Sequence, residues 1–95
     1  MMLLKYARAR VLVEGDVKDF AFRYFAKEKS NMLGLRGWVK KLPTEEVEIV
    51  LEGVEDNINE MLEWCKKGPT LFKSNIIKVE FSDFEDEFDN FEIRY

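Results

Sequence analysis

An α+β sandwich, with one antiparallel sheet and two helices on the same face of it, is the fold class this sequence predicts, and three observations carry the prediction. Small or apolar residues alternate with polar or larger ones from Ala7 to Val13 and again from Glu46 to Glu52, the period of a half-buried strand. Ile58, Met61, Leu62 and Cys65 recur at i, i+3, i+4 and i+7, the stripe of an amphipathic helix. Strand and helix patterns succeed one another in the order β-α-β-β-α-β, with a short extra strand at the C-terminal end.

Each element has its own signal. Ala7, Ala9, Val11 and Val13 give the first strand one packed face, and the Gly and charged residues of Gly15 to Asp19 break the pattern into a loop. From Phe22, the apolar residues Phe25, Ala26, Met32 and Leu33 keep helical spacing, and Gly34 stands where a helix end favours a left-handed residue. Leu35 to Lys41 and Glu46 to Glu52 read as a hairpin across Leu42-Pro43-Thr44-Glu45. The second helix opens near Asp56, carries Lys66 and Lys67 in its last turn and is expected to stop at Gly68-Pro69. Ile77, Val79 and Phe81 mark a fourth strand, and Phe91 to Arg94 the short final one. The arrangement is ferredoxin-like, a fold with many unrelated functions, so function must be read from a site.

Composition narrows that reading. Residues 1–95 fit one domain, with thirteen aromatics to build its core. Cys65 is the only cysteine and there is no histidine, so internal disulfides and Ser-His or Cys-His nucleophilic pairs are ruled out and a zinc site would lack its usual ligands. A formal net charge of −4 is the wrong sign for a protein whose main partner is nucleic acid. The opening Met1 to Lys5 is unlike a secretory signal and no stretch approaches a membrane span, so a cytoplasmic location with no membrane partner is expected. Thirteen Glu, ten Lys and no Gln lean towards the composition of heat-adapted proteins.

The stretch Val13-Glu14-Gly15-Asp16-Val17-Lys18-Asp19-Phe20-Ala21-Phe22-Arg23 resembles the V-x-G-x-V-Q-G-V-G-F-R segment of the acylphosphatase family. Leu33-Gly34-Leu35-Arg36-Gly37-Trp38-Val39 is similar to that family's L-G-L-x-G-W-V, at the same distance from the arginine. Glu52-Gly53, Trp64, Gly68-Pro69 and the closing Phe91 to Tyr95 also fall in place, so the resemblance spans nearly the whole chain. It implies hydrolysis of carboxyl-phosphate anhydrides without metal or cofactor. The implied phosphate cradle is the loop Gly15, Asp16, Val17, Lys18, Asp19, Phe20, Ala21 and Phe22, together with Arg23, whose planar fork grips two oxygens. The ligand expected is a small anion, an acyl phosphate or phosphate.

Departures from the pattern bear on the chemistry. The asparagine that positions the attacking water in the family is Lys41 here, and an ammonium offers donors only. The loop's Gln and two glycines are replaced by Lys18, Asp19 and Ala21. A carboxylate about 5 Å from a phosphate charge costs about 3 kcal/mol at an effective dielectric near 20, unless Asp19 pairs with Arg23 itself. The expectation drawn is an acylphosphatase-like domain with little or no hydrolysis that retains anion binding at Arg23. The alternative is a working acylphosphatase in which Lys41 or Thr44 stands in for the asparagine, and a protein- or RNA-binding module comes third. Cys65, Trp38 and Trp64 are expected in the core. The acidic segment Asp83 to Asn90 is expected as a solvated loop anchored by its phenylalanines, because it lacks the glycine and ligand spacing of a calcium loop.

Overall fold

The computed structural model describes residues 3–67 and 73–95, so the expected stop at Gly68-Pro69 lies outside the described residues. The elements are β1 (Tyr6–Gly15), α1 (Phe20–Met32), β2 (Arg36–Lys41), β3 (Val47–Val54), α2 (Glu55–Lys67), β4 (Ser74–Ser82) and β5 (Phe91–Arg94). They form a five-stranded sheet in the order β4-β1-β3-β2-β5. The first four strands pair antiparallel, as expected of a ferredoxin-like fold, and the extra strand β5 adds to β2 in parallel.

The alternation in β1 and β3 sets the core. Ala7, Ala9, Val11 and Val13 face Val47, Ile49 and Leu51 across the pairing and are buried together with Phe22 and Ala26 of α1 and Ile58, Met61 and Cys65 of α2. The helices meet over this face: the Phe22 and Trp64 rings are 5.4 Å apart, and the Ser30 hydroxyl donates to Met61 Sδ at 3.6 Å. Among the described residues no helix is long and apolar enough to cross a membrane.

The second helix buries the four residues its spacing selects, but the first is rotated from expectation. Its inward column is Phe22, Ala26 and Ser30, at i, i+4 and i+8, while Phe25 is 44% and Met32 79% exposed. One side chain with a hydroxyl that finds a sulfur acceptor thus replaces two apolar ones in the core, and Phe22 and Ser30 of this column both touch α2. Gly34 does take the left-handed conformation, at φ 68°. Trp38 departs as well: its register with Val50 and Glu92 puts it on the face away from the helices, where the Arg94 guanidinium lies 5.0 Å from its ring centre.

That open face is a lattice of charges. Arg10 pairs with Glu48, Arg94 with Glu92, and Lys78 with Glu80, whose carboxyl it holds below the usual range by hydrogen bond and charge. Arg8 joins Glu52, Glu85 and Glu87, and Glu52 also accepts the backbone N–H groups of Glu85 and Glu87 at 2.6 and 2.9 Å. The acidic loop is therefore anchored by its backbone on a buried carboxylate, and by Phe88 under Arg8 and Phe84 against Tyr6.

Candidate functional site

The loop between β1 and α1 is fixed by contacts local to it. Gly15 has φ 107°, and a Cβ there would sit 2.2 Å from the backbone oxygen of Lys73. That same oxygen accepts the N–H of Asp16 at 2.8 Å, so backbone approaches backbone where no side chain fits. The Val17 N–H turns back to the Gly15 oxygen at 2.8 Å, and the Val17 side chain is fully buried. Pinned at these points, the chain enters α1 with Asp19 as the residue before the first turn, extended at φ −77° and ψ 151°.

Asp19 makes no side-chain capping hydrogen bond. Lys18, Asp19, Phe20 and Ala21 contribute no N–H to the loop, turn and cap hydrogen bonds among the described residues; Phe22 donates to the Asp19 oxygen at 3.2 Å. Among the described residues the start of α1 thus keeps its first amides and the positive end of its dipole uncommitted. Such a terminus is suited to an anion.

Arg23 stands in the first turn of α1. Its Nε–H is buried and has no hydrogen-bond partner among the described residues. No ion pair among the described residues involves Arg23, Asp19, Lys18 or Lys41, so the pairing of Asp19 with Arg23 weighed from the sequence is not formed. The guanidinium instead lies over the Phe20 ring, 5.4 Å from its centre, and the Tyr95 ring stacks on Phe20 at 6.4 Å with 6° between planes. A buried donor left without an acceptor is costly, and an anion's oxygen would relieve it.

Lys41 reaches the same end of the sheet through register. It pairs with Val47, which pairs with Val13 two residues before Gly15, so the three side chains form one row on the helix side where the loop departs. Lys41 is exposed. Thr44 is committed elsewhere: its hydroxyl donates to Glu46 Oε1 at 3.0 Å in the β2–β3 turn. Grooves of about 370 and 380 Å³ lie around Tyr6, one beside Ser82 and Asp83 and the other beside Glu52 and Phe84, and neither is lined by the loop or by Arg23. Cys65 is in the core as expected, its thiol pushed up to about 12 by burial.

The sequence pattern brought the loop, Arg23 and Lys41 together, and the structure places all three at one end. What it missed is the aromatic stack. The available signal was Phe20 itself, which stands where the quoted V-Q-G-V-G-F-R string has a valine.

A family model described as Acylphosphatase matches residues 9–93. An acylphosphatase of Aeropyrum pernix is 43% identical over 89 residues, covering 93% of this chain and 88% of that protein. One of Syntrophobacter fumaroxidans is 41% identical over 88 residues, 93% of this chain and 91% of its own. The crystal structure of acylphosphatase from Bacillus subtilis superposes with a TM-score of 0.86 at 32% identity, covering 94% of this chain and 99% of that one. Relatives this similar over nearly their full length, bearing the name of the enzyme, favour a working hydrolase over a degenerate one. The expectation of little or no hydrolysis, drawn from Lys41, Asp19 and Ala21, is corrected on that finding.

Proposed function

This chain belongs to the acylphosphatase family, and from that premise we propose that it hydrolyses carboxyl-phosphate anhydrides to a carboxylate and inorganic phosphate, with Arg23 and the amides at the start of α1 as the phosphate seat. The observation that carries the reading is the buried Arg23 Nε–H without an acceptor among the described residues, next to a helix start whose first amides are equally uncommitted among them. Bidentate capture by the guanidinium fork, completed by N–H groups at the positive end of α1, suits a tetrahedral dianion.

In the reaction a water oxygen forms a bond to phosphorus as the bond from phosphorus to the acyl oxygen breaks. The electron pair leaves with the carboxylate, and the water's proton passes to phosphate or solvent. A carboxylate is stable at neutral pH without a proton, so no general acid is required for it to depart. Transfer through a loose transition state leaves positioning and charge stabilisation as the main catalytic terms, and these are what Arg23 and the loop amides supply. This is the physical reason that losing the asparagine does not by itself remove activity. Lys41, at the end of β2, adds positive charge towards the phosphate rather than an acceptor for water. The substrate is a small anion; the net charge of −4 disfavours nucleic acid, and a cytoplasmic setting agrees with the single unpaired cysteine.

Release of inorganic phosphate from acetyl phosphate tests the reading. Saturable turnover that Arg23→Ala abolishes is expected; a rate equal to spontaneous hydrolysis at high protein concentration would refute it.

A further inference from the structure

We infer that Phe20 is a positioning residue for this phosphate seat: its ring face holds the Arg23 guanidinium where a counter-ion otherwise would, leaving the N–H fork free for the ligand. The inference rests on the phosphate seat proposed above and deepens it.

An arginine that is to grip an anion must be aimed before the anion arrives, because ordering a long side chain during binding weakens the grip. A carboxylate can aim it, but only by accepting the same N–H groups the ligand needs. No carboxylate pairs with Arg23 among the described residues. The ring face of Phe20, 5.4 Å from Cζ, attracts the cation through its quadrupole and accepts no hydrogen bond in the guanidinium plane. The Nε–H without a partner among the described residues is the consequence expected of that arrangement: a cation held in place with this donor unspent.

Packing does not account for Phe20. It is 47% exposed, although the adjoining Phe22 is fully buried in the core. An apolar ring half in water at the mouth of a polar loop gains little from burial. Its position is nevertheless defined, since the Tyr95 ring lies parallel to it. Tyr95 follows Arg94, which pairs with Lys40, so the stack joins the start of α1 to the level of Lys41 on the neighbouring strand.

The test compares Phe20→Leu, which keeps apolar bulk without a quadrupole, with Phe20→Trp, which has the stronger ring face. Inorganic phosphate is titrated by NMR, separately from turnover of acetyl phosphate. Phe20→Leu is expected to raise the phosphate Kd about three- to tenfold and to lower kcat/KM at least as much, with Phe20→Trp restoring both. A merely structural role would lower Tm with the phosphate Kd unchanged and would not be rescued by Trp; that result overturns the inference. Should Phe20→Leu fail to fold, the unaltered protein decides: the Arg23 Nε–H resonance must carry a ring-current shift and move on adding phosphate, and a resonance at its ordinary position overturns the inference. Phosphate binding that depends on Phe20 without any turnover keeps this inference and removes the hydrolase reading. Turnover that depends on Arg23 but not on Phe20 does the reverse, and no phosphate binding by the unaltered protein removes the positioning role.

Discussion

Arg8 and Arg23 each lie over a phenylalanine ring, 5.2 Å from the centre of Phe88 and 5.4 Å from that of Phe20, but only Arg8 is surrounded by acceptors. Three carboxylates, of Glu52, Glu85 and Glu87, lie within 3.6 Å of its Nη1. Arg23 meets none among the described residues and buries an Nε–H without a partner. The side-chain chemistry is the same, so the difference is one of surroundings. On the open face a cation is used up in holding the acidic loop to the sheet; at the start of α1 a cation keeps a buried donor unpaired among the described residues. A satisfied network contributes stability, whereas an unsatisfied donor lowers it and is retained where a ligand completes it.

Removing each arginine system in turn, with activity and stability both measured, separates the two roles. Arg23→Ala is expected to lower kcat/KM for acetyl phosphate by about 10²–10³-fold, the cost of deleting one group that stabilises transition-state charge. Its Tm should hold or rise, because the variant also deletes an unpaired buried donor. A large fall in Tm would show that Arg23 is structural after all. Glu52→Ala should do the opposite. Removing a carboxylate that is 2% exposed and serves two amides and Arg8 is expected to destabilise by about 3 kcal/mol in urea melts. Its kcat/KM should stay within about twofold, since Glu52 lies five residues, about 17 Å, along β3 from Val47 and on the opposite face.

Cys65 supplies a third environment, a buried titratable group with no charged partner, and calibrates what burial alone does. Its thiol is raised from 9.0 to about 12 by desolvation, so the unfolded chain loses the proton first as pH rises. Stability due to this group is intact below pH 9.0 and falls as pH climbs from 9.0 towards about 12, by about 1 kcal/mol at pH 10. Comparison of urea melts at pH 8 and 10 should show that fall in the parent, and Cys65→Ala should lack it; an equal fall in both would assign it to other groups. The smallest expected effect concerns Asp19, an exposed carboxylate beside the helix start that caps nothing. Asp19→Asn should tighten inorganic phosphate binding about threefold at low salt, with the gain shrinking as salt is added. An unchanged Kd at low salt would mean that the carboxylate points away from the anion.

Wherever the deciding interaction is local, the sequence alone determined the outcome. Alternation at Ala7 to Val13 and Val47 to Leu51 and the helical stripe Ile58, Met61, Leu62 and Cys65 specify strands and a helix, because neighbours two or four residues apart share a face whatever the rest of the chain does. The string from Val13 to Arg23 likewise located the loop and its arginine. Tertiary structure decided what depends on residues far apart in the chain. Ser30 rather than Phe25 faces the core because Met61 is opposite; Trp38 stays on the open face with Arg94 over it; Glu52 ends among the amides of Glu85 and Glu87. The unpaired donor at Arg23 is of this second kind. No periodicity records that Asp19 forms no ion pair with Arg23, that the Phe20 ring lies against its guanidinium, or that Tyr95 arrives after the last strand, since those partners are chosen by how the whole sheet closes and not by spacing along it.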